Sequence, residues 1–243
     1  MVISKKFSRN IAASSFLALS PFFLPAHAST VIGSYLPGDG WIEGELDIAN
    51  TTLAKSMAIQ NVFSAFTHTW DQLYWQSSNI HGSGATPLIS WMPVDLSRPE
   101  DNLLVEIVDG NWDTYIDNWA DAMVAWVQQY PQASQPQVLI RFAHEFNGNW
   151  YPYSNSPELY KAAWRHIHTR FEQRDSNQYV QWIWSANNVS ADDYNDITLY
   201  YPGDDVTDWT SLDGYNWGSN YTCLLYTSPS PRDQRGSRMP SSA

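Results

Sequence analysis

Short apolar runs alternate with longer amphipathic segments along most of the chain. Six runs have the length and composition of strands, and they cover residues 31–36, 61–67, 87–92, 137–143, 179–185 and 210–215. The clearest helical pattern covers residues 114–130, where apolar positions recur every three or four residues before Pro131. A second helix is predicted from Ser156 as N-cap and Pro157 as first helical residue. This alternation predicts a parallel sheet.

The residues at the predicted strand ends favour a closed barrel over an open sheet. No G-x-G-x-x-G pattern and no P-loop lysine follows the first strand, which argues against a nucleotide-binding fold. The length of 243 residues fits one α/β barrel of about 250 residues. In a TIM (β/α)8 barrel, the carboxyl ends of the strands form one mouth. Aromatic or polar residues end nearly every predicted strand: Tyr35, His68 and Trp70, Trp91, His144 and Glu145, Trp184 and Asn187, Tyr215 and Trp217.

The segment after the fourth predicted strand carries the best candidate for chemistry. Glu145 follows a short, β-branched run that is typical of a strand buried on both faces. In parallel α/β folds this end of a strand faces the ligand. The neighbouring His144, Asn147, Trp150 and Tyr151 supply hydrogen-bonding groups and flat apolar rings, which suit a carbohydrate. We therefore expect Glu145 to be half of an active site, with Asn147 among the residues that bind substrate.

Both ends of the chain differ from the central 29–222 segment, which we expect to form the barrel domain. Lys5, Lys6 and Arg9 precede an apolar run that leads into Ala26-His27-Ala28, so residues 1–28 are predicted to be a signal peptide. A membrane anchor is the weaker interpretation, because Pro21 interrupts the short run. We expect a secreted or periplasmic protein, free of the membrane after cleavage. Residues 223–243 are predicted to be either a disordered natural tail or non-native, translated vector sequence.

The charge and composition of the chain limit the classes of molecule that it is expected to bind. From residue 29 to residue 222 there are 24 Asp and Glu against seven Lys and Arg, which disfavours nucleic acid and anionic polysaccharides. The 13 Trp and 14 Tyr exceed the needs of a core of this size, so some are expected to stack on a ligand. Cys223 is the single cysteine, and His81 has no second ligand at metal-binding spacing. We expect a monomer that binds a neutral or cationic polysaccharide, without metal or cofactor.

Three segments of the chain carry a specific resemblance to a known family. In order, they are R-F-A-H-E-F-N-G-N-W-Y-P-Y, W-I-W-S-A-N-N and Y-Y-P-G-D-D-V-T-D-W-T-S-L-D-G-Y-N-W-G. Together they resemble glycoside hydrolase family 26, over roughly residues 33–218. The resemblance implies a secreted (β/α)8 enzyme that cleaves β-glycans by a retaining mechanism. Most members are endo-β-1,4-mannanases, and mixed-linkage β-glucanases and β-1,3-xylanases also occur.

The resemblance also implies roles for individual residues. Glu145 matches the general acid/base, and His144 matches a residue that contacts the sugar at the cleavage point or the catalytic carboxylates. Trp150 matches an aromatic wall of the cleft. Tyr215 matches the tyrosine that hydrogen-bonds the nucleophile. Trp184 is a further, weaker candidate for substrate binding.

The second carboxylate of the retaining mechanism is not found in the chain. Retaining enzymes need two carboxyl groups about 5–5.5 Å apart, and the family places the nucleophilic Glu after the seventh strand. No Glu follows Glu172, and only about six of eight βα units are predicted. We therefore expect the 243 residues to be an inactive, C-terminally truncated fragment.

Several functions remain open at this stage. Mannan is the first candidate substrate, and β-1,3-1,4-glucan and β-1,3-xylan are alternatives. A non-catalytic carbohydrate-binding protein is a different class of interpretation. The absence of a second catalytic Glu favours it, whereas Glu145 has no evident purpose in a pure binding site.

Overall fold

The computed structural model of the protein describes residues 31–191 and 196–214. Within them, six strands form one parallel sheet in the order β1-β2-β3-β4-β5-β6. Neighbours in the sheet are also neighbours in sequence. The strands are β1 Gly33–Tyr35, β2 Ile59–Ala65, β3 Thr86–Met92, β4 Val138–Phe142, β5 Val180–Asn187 and β6 Trp209–Asp213.

Helices follow the strands and cover one face of the sheet. They are α1 Glu45–Leu53, α2 Trp70–Gly82, α3 Leu104–Val108, α4 Asp113–Val127 and α5 Pro157–Gln173. Short 3₁₀ turns lie at Gln132–Ser134, Asn177–Tyr179, Ile197–Tyr200 and Asp204–Val206. A parallel sheet with sequential strand order and crossover helices is the construction of a (β/α) barrel. The described part is an incomplete barrel of six strands, as predicted from the sequence.

The main core lies between the sheet and the helices. Trp91 of β3 stacks on Trp119 of α4 with ring centroids 4.6 Å apart, and both are buried. Phe171 of α5 packs against Trp91 and against Trp182 of β5. Part of the tryptophan excess of the chain is therefore buried in this core. Such large rings contribute strongly to stability when they are buried.

The opposite face of the sheet is the barrel interior. Side chains alternate along a strand, so Phe142 faces the helices, where it lies near Trp164, whereas Arg141 points to the interior. There the Arg141 guanidinium donates to Ser90 Oγ from Nε at 2.9 Å and from Nη2 at 2.7 Å. Ser90 in turn donates to Asn61 Oδ1 at 2.5 Å. Side chains from β2, β3 and β4 therefore form one polar layer across the interior.

The predicted strands agree with the observed ones to within about two residues at most ends, and the helix predicted over 114–130 is α4. The helix predicted from Pro157 is α5, although the Ser156 side chain at its N-cap accepts no hydrogen bond from the helix. Across the described ranges, no helix is long and apolar enough to cross a membrane. The predicted signal peptide, the tail and Tyr215 lie outside the described residues.

Candidate active site

The polypeptide takes an uncommon conformation directly after β4. Ala143 and Glu145 have positive φ angles of 46° and 55°, which residues other than glycine seldom adopt. Each such residue costs about 1–3 kcal/mol and persists only where its surroundings fix it. Here the Ala143 N–H donates to the Trp91 carbonyl at 3.0 Å, and the Glu145 N–H donates to the Ser185 carbonyl at 2.9 Å. Bonds to both neighbouring strands therefore hold Glu145 at the carboxyl end of the sheet.

The Glu145 carboxyl group is held by two neutral donors. Asn187 Nδ2, at the end of β5, donates to Oε1 at 3.0 Å. The Trp150 indole Nε1 donates to Oε2 at 2.9 Å. Glu145 is buried, and no ion pair joins it to another described residue. The carboxyl group is thus fixed in orientation while its charge is not neutralised by a described partner.

The loop after Glu145 folds back over the residues that precede it. The Trp150 ring lies so close to Gly148 that a Cβ there would be 2.5 Å from two of its carbon atoms. Tyr151 Oη lies 3.1 Å from His144 Nε2, and the Tyr153 hydroxyl donates to the His144 carbonyl at 3.0 Å. One short loop therefore contacts both His144 and Glu145.

His144 is a neutral, buried imidazole. Burial, with a smaller contribution from the Arg141 charge, lowers the pKa of His144 to about 3. One face of the ring lies near Phe63, at 5.8 Å between centroids. Tyr151 satisfies Nε2, whereas Nδ1 has no hydrogen-bond partner in the described part of the protein. His144 therefore carries no charge at neutral pH, and its Nδ1 is itself a buried atom.

An ion pair crosses the barrel interior below His144. Arg141 Nη1 of β4 donates to both carboxylate oxygens of Asp213 at the end of β6, at 2.9 and 2.8 Å. Ser185 of the intervening β5 donates to the same carboxylate at 3.4 Å. The pair ties β4 to β6 and lines the cleft together with Tyr35 and Phe63.

The structure brings three predicted residues to one place and sets others apart. His144, Glu145 and Trp150 meet at the mouth, and Trp150 exposes about half of its surface, 49%. Their contacts with a sugar stay predictions. Asn147, predicted to bind substrate, is fully buried and bonds to the main chain of Asn187. Its amide is therefore used inside the protein, and its contact with a sugar stays a prediction.

Trp184 also departs from its predicted position. It lies on the helix-facing side of β5, where it packs against Phe146 and Tyr201, and it does not line the cleft. The reason is strand alternation: Ser185 points to the interior, so its neighbour Trp184 points outward. The structure therefore places Trp184 in the core, and its contact with a sugar stays a prediction. Tyr215 is not among the described residues.

Sequence analysis missed three residues of the cleft, Phe63, Arg141 and Asp213, as members of the site, whereas Tyr151 was among the residues expected to suit a carbohydrate. Arg141 and Asp213 each stand in a predicted strand at a position that alternation assigns to the interior. That signal was available in the sequence. The contact of Phe63 with His144 was not, because it depends on the relative placement of β2 and β4.

A buried carboxyl group at the mouth of a (β/α) barrel, held by neutral donors and flanked by an exposed indole, matches one half of a glycoside hydrolase site, which pairs two carboxyl groups. Comparison with known sequences agrees. A sequence model of glycosyl hydrolase family 26 matches residues 73–226. The protein belongs to glycosyl hydrolase family 26.

Relatives of the chain include an endoglucanase and a mannan endo-1,4-beta-mannosidase. Endoglucanase H of Acetivibrio thermocellus is 33% identical over 150 residues, which are 58% of this chain and 15% of that protein. Mannan endo-1,4-beta-mannosidase A and B of Caldalkalibacillus mannanilyticus is 28% identical over 115 residues, 43% of this chain and 20% of that protein. The alignments thus span a fifth or less of these two relatives' lengths.

Solved structures share the fold. A GH26 beta-mannanase from Bacteroides ovatus matches with a TM-score of 0.58 at 18% identity, over 77% of this chain and 62% of that one. Bacillus subtilis mannanase man26 matches with a TM-score of 0.56 at 20% identity, over 76% of this chain and 64% of that one. Both likenesses support the incomplete barrel.

Proposed function

We propose that the protein is an endo-acting, retaining β-glycanase in which Glu145 is the general acid/base. The observation that carries the proposal is the fixed orientation of the Glu145 carboxyl group, between Trp150 Nε1 and Asn187 Nδ2 at the mouth. A general acid must meet the glycosidic oxygen at hydrogen-bond distance, so a fixed carboxyl group is what the step requires. Glu145 protonates the leaving oxygen and later accepts a proton from the attacking water.

The neighbouring residues support the same chemistry. His144 lines the cleft beside Glu145 and is neutral, so it does not compete for the proton of Glu145. Trp150 offers its exposed face to the apolar side of a pyranose. This contact would place the scissile bond beside Glu145.

We propose that the nucleophile is a Glu that the 243 residues do not contain. A retaining mechanism needs a second carboxyl group about 5–5.5 Å from the first. The nearby Asp213 is bound on both oxygens by Arg141 and is therefore unsuited to attack a sugar carbon. No Glu follows Glu172 in the sequence. On this proposal the 243-residue chain has no glycanase activity, and a longer reading frame that adds a strand ending in Glu restores it.

The charges of the cleft favour a neutral glycan. Arg141 and Asp213 neutralise each other, and His144 is uncharged. Among the described lining residues, Glu145 is therefore the carboxyl group without an ion-pair partner. An anionic glycan would be repelled by this carboxylate and by the formal net charge of −12. We propose β-1,4-mannan as substrate, in line with the relationship to a mannan endo-1,4-beta-mannosidase.

A second candidate substrate is a β-glucan such as mixed-linkage β-1,3-1,4-glucan. The observation that favours it is the 33% identity with an endoglucanase over 150 residues. Reducing-sugar release from galactomannan, barley β-glucan and β-1,3-xylan distinguishes the candidates when the complete reading frame is assayed. Binding of oligosaccharides without hydrolysis by that complete protein would instead support a non-catalytic carbohydrate-binding protein.

We also propose that the protein is exported and acts as a monomer. The basic, apolar and A-x-A pattern of residues 1–28 supports export. Cell fractionation of a tagged protein tests the location, with a secreted or periplasmic product as the expected result. Size-exclusion chromatography with light scattering tests the monomer.

A further inference from the structure

We propose that Asn147 is a positioning residue that fixes Asn187, which in turn orients the Glu145 carboxyl group. The role that this gives Asn147 in catalysis rests on the proposed function of Glu145. The arrangement itself does not rest on that function, because it concerns only which groups hold the Glu145 carboxyl group in place. It also explains why the family-like motif H-E-F-N-G carries an asparagine two residues after the glutamate.

The first step is the contact between Asn147 and the main chain at the end of β5. Asn147 Nδ2 donates to the Asn187 carbonyl at 2.8 Å, and Asn147 Oδ1 accepts from the Asn187 N–H at 2.7 Å. The ladder between β4 and β5 is registered only as far as Trp182, five residues earlier. The Asn147 amide therefore takes the place that a strand partner would occupy, satisfying both main-chain groups of Asn187.

The second step is the orientation of the Asn187 side chain. Its Oδ1 accepts from the Val189 N–H at 3.0 Å, so the amide cannot turn without losing that bond. This leaves Nδ2 directed at Glu145 Oε1, 3.0 Å away. An oxygen in that position would repel the carboxylate, so the fixed orientation of the amide matters as well as its presence.

The third step is the requirement for asparagine at position 147. An amide of this length supplies both a donor and an acceptor to the main chain of one residue. Aspartate would present an oxygen to the Asn187 carbonyl and bury a charge, since Asn147 is fully buried. Alanine would leave the N–H and the carbonyl of Asn187 without these partners. A second donation from Asn147 Nδ2, to Ser190 Oγ at 3.3 Å, ties the following loop to the same point.

The test compares Asn147→Ala with Asn50→Ala. Asn50 is a matched control because it also pins a main-chain N–H, that of Met57 at 2.8 Å, but in the α1 region away from the mouth. The readout is the solvent exchange of the Asn187 side-chain amide protons, measured by NMR in the 243-residue protein and assigned with Asn187→Ala. We expect at least about fivefold faster exchange in Asn147→Ala, because one hydrogen bond is worth about 1 kcal/mol or more. Asn50→Ala should leave it unchanged.

Asn147→Ser supplies a second variant if the alanine variant does not fold, and its exchange rate should lie between those of wild type and alanine. In the complete, active protein, Asn147→Ala should lower kcat more than it changes KM. Asn147→Ala should not lower kcat further in an Asn187→Ala background, because both changes break the same series of contacts to Glu145. Unchanged exchange of the Asn187 amide in Asn147→Ala or Asn147→Ser, or fully additive effects on kcat, would overturn the proposal. A failure of the proposed function would instead abolish the kcat comparison and leave the exchange result intact.

Discussion

Trp150 and Glu145 are joined by a hydrogen bond of 2.9 Å from the indole Nε1 to the carboxylate Oε2, although they are five positions apart along the loop. The loop can turn this tightly because Gly148 lies under the indole ring. The bond couples an exposed aromatic surface to the proposed acid/base. A substrate that stacks on Trp150 would therefore lie next to the group that protonates it.

Gly148→Ala should break this coupling. The added Cβ would lie 2.5 Å from Trp150 Cε2 and Cζ2, so the indole must move away from Glu145. A hydrogen bond to a charged group is worth about 1.5–3 kcal/mol, so solvent exchange of the indole N–H should rise by at least about tenfold. NMR of the indole signal, assigned with Trp150→Phe, measures it. Gly82→Ala is the control, since no atom lies within 4 Å of a Cβ there. An unchanged Trp150 signal in Gly148→Ala would contradict this geometry.

Breaking the Arg141–Asp213 pair should destabilise the barrel. Both side chains are largely buried, so Arg141→Met or Asp213→Asn leaves one group without its partner. We expect each single change to lower the free energy of unfolding by about 2–4 kcal/mol, somewhat less than for a fully buried pair. The double variant should lose less than the sum of the two. Urea denaturation measures all four proteins. Additive losses would show that the two side chains do not interact.

His144 should make the protein less stable in acid. Burial lowers its pKa to about 3 in the folded state, whereas the unfolded chain has the ordinary value of 6.5. Between these values the unfolded state binds more protons, so stability is complete above about pH 6.5 and falls as the pH falls toward 3. One proton corresponds to a slope of at most about 1.4 kcal/mol per pH unit. His144→Gln should reduce the slope measured by urea denaturation between pH 4 and pH 6. An identical slope in the variant would refute the prediction.

Trp184 and Trp150 should respond differently to substitution. Trp184→Phe removes packing against Phe146 but no hydrogen bond, because its indole N–H has no partner among the described residues. We expect a loss of about 1–3 kcal/mol in stability without a change in affinity for mannohexaose or mixed-linkage glucan oligosaccharides. Trp150→Ala should weaken binding as well as stability, because the half-exposed side chain also donates a hydrogen bond to the buried Glu145. Calorimetric titration and thermal melting separate the two effects. Weakened binding in Trp184→Phe would return that residue to the cleft.

Much of the fold follows from local patterns in the sequence. Strands β4 and β5 are largely buried on both faces, so they read as short apolar runs, and α4 carries a regular apolar face. Helix α2 was missed, although Thr69 and Gln72 form a capping box whose spacing is visible in the sequence. Its apolar stripe is weak because Gln76 and Ser77 are buried on it.

The site was predictable in part for the same reason. Glu145 and His144 follow a strand directly, so their place at the mouth is a local property. Asn147 lies in a loop, and nothing local indicates that its amide turns inward to Asn187, 40 residues later. The outward direction of Trp184 could have been inferred from alternation, whereas the pairing of Arg141 with Asp213 required the three-dimensional order of the strands.

The most direct test of the central claim is the rate of glycan hydrolysis by the complete reading frame with Glu145 and with Glu145→Gln. The substrates are galactomannan and barley β-glucan, and Glu158→Gln, an exposed change on α5, is the control. We predict that Glu145→Gln lowers kcat by about 10²–10⁴-fold on the preferred substrate, as loss of a general acid/base does, whereas Glu158→Gln retains full activity. Hydrolysis by Glu145→Gln at the wild-type rate would contradict the assignment of Glu145 as the acid/base.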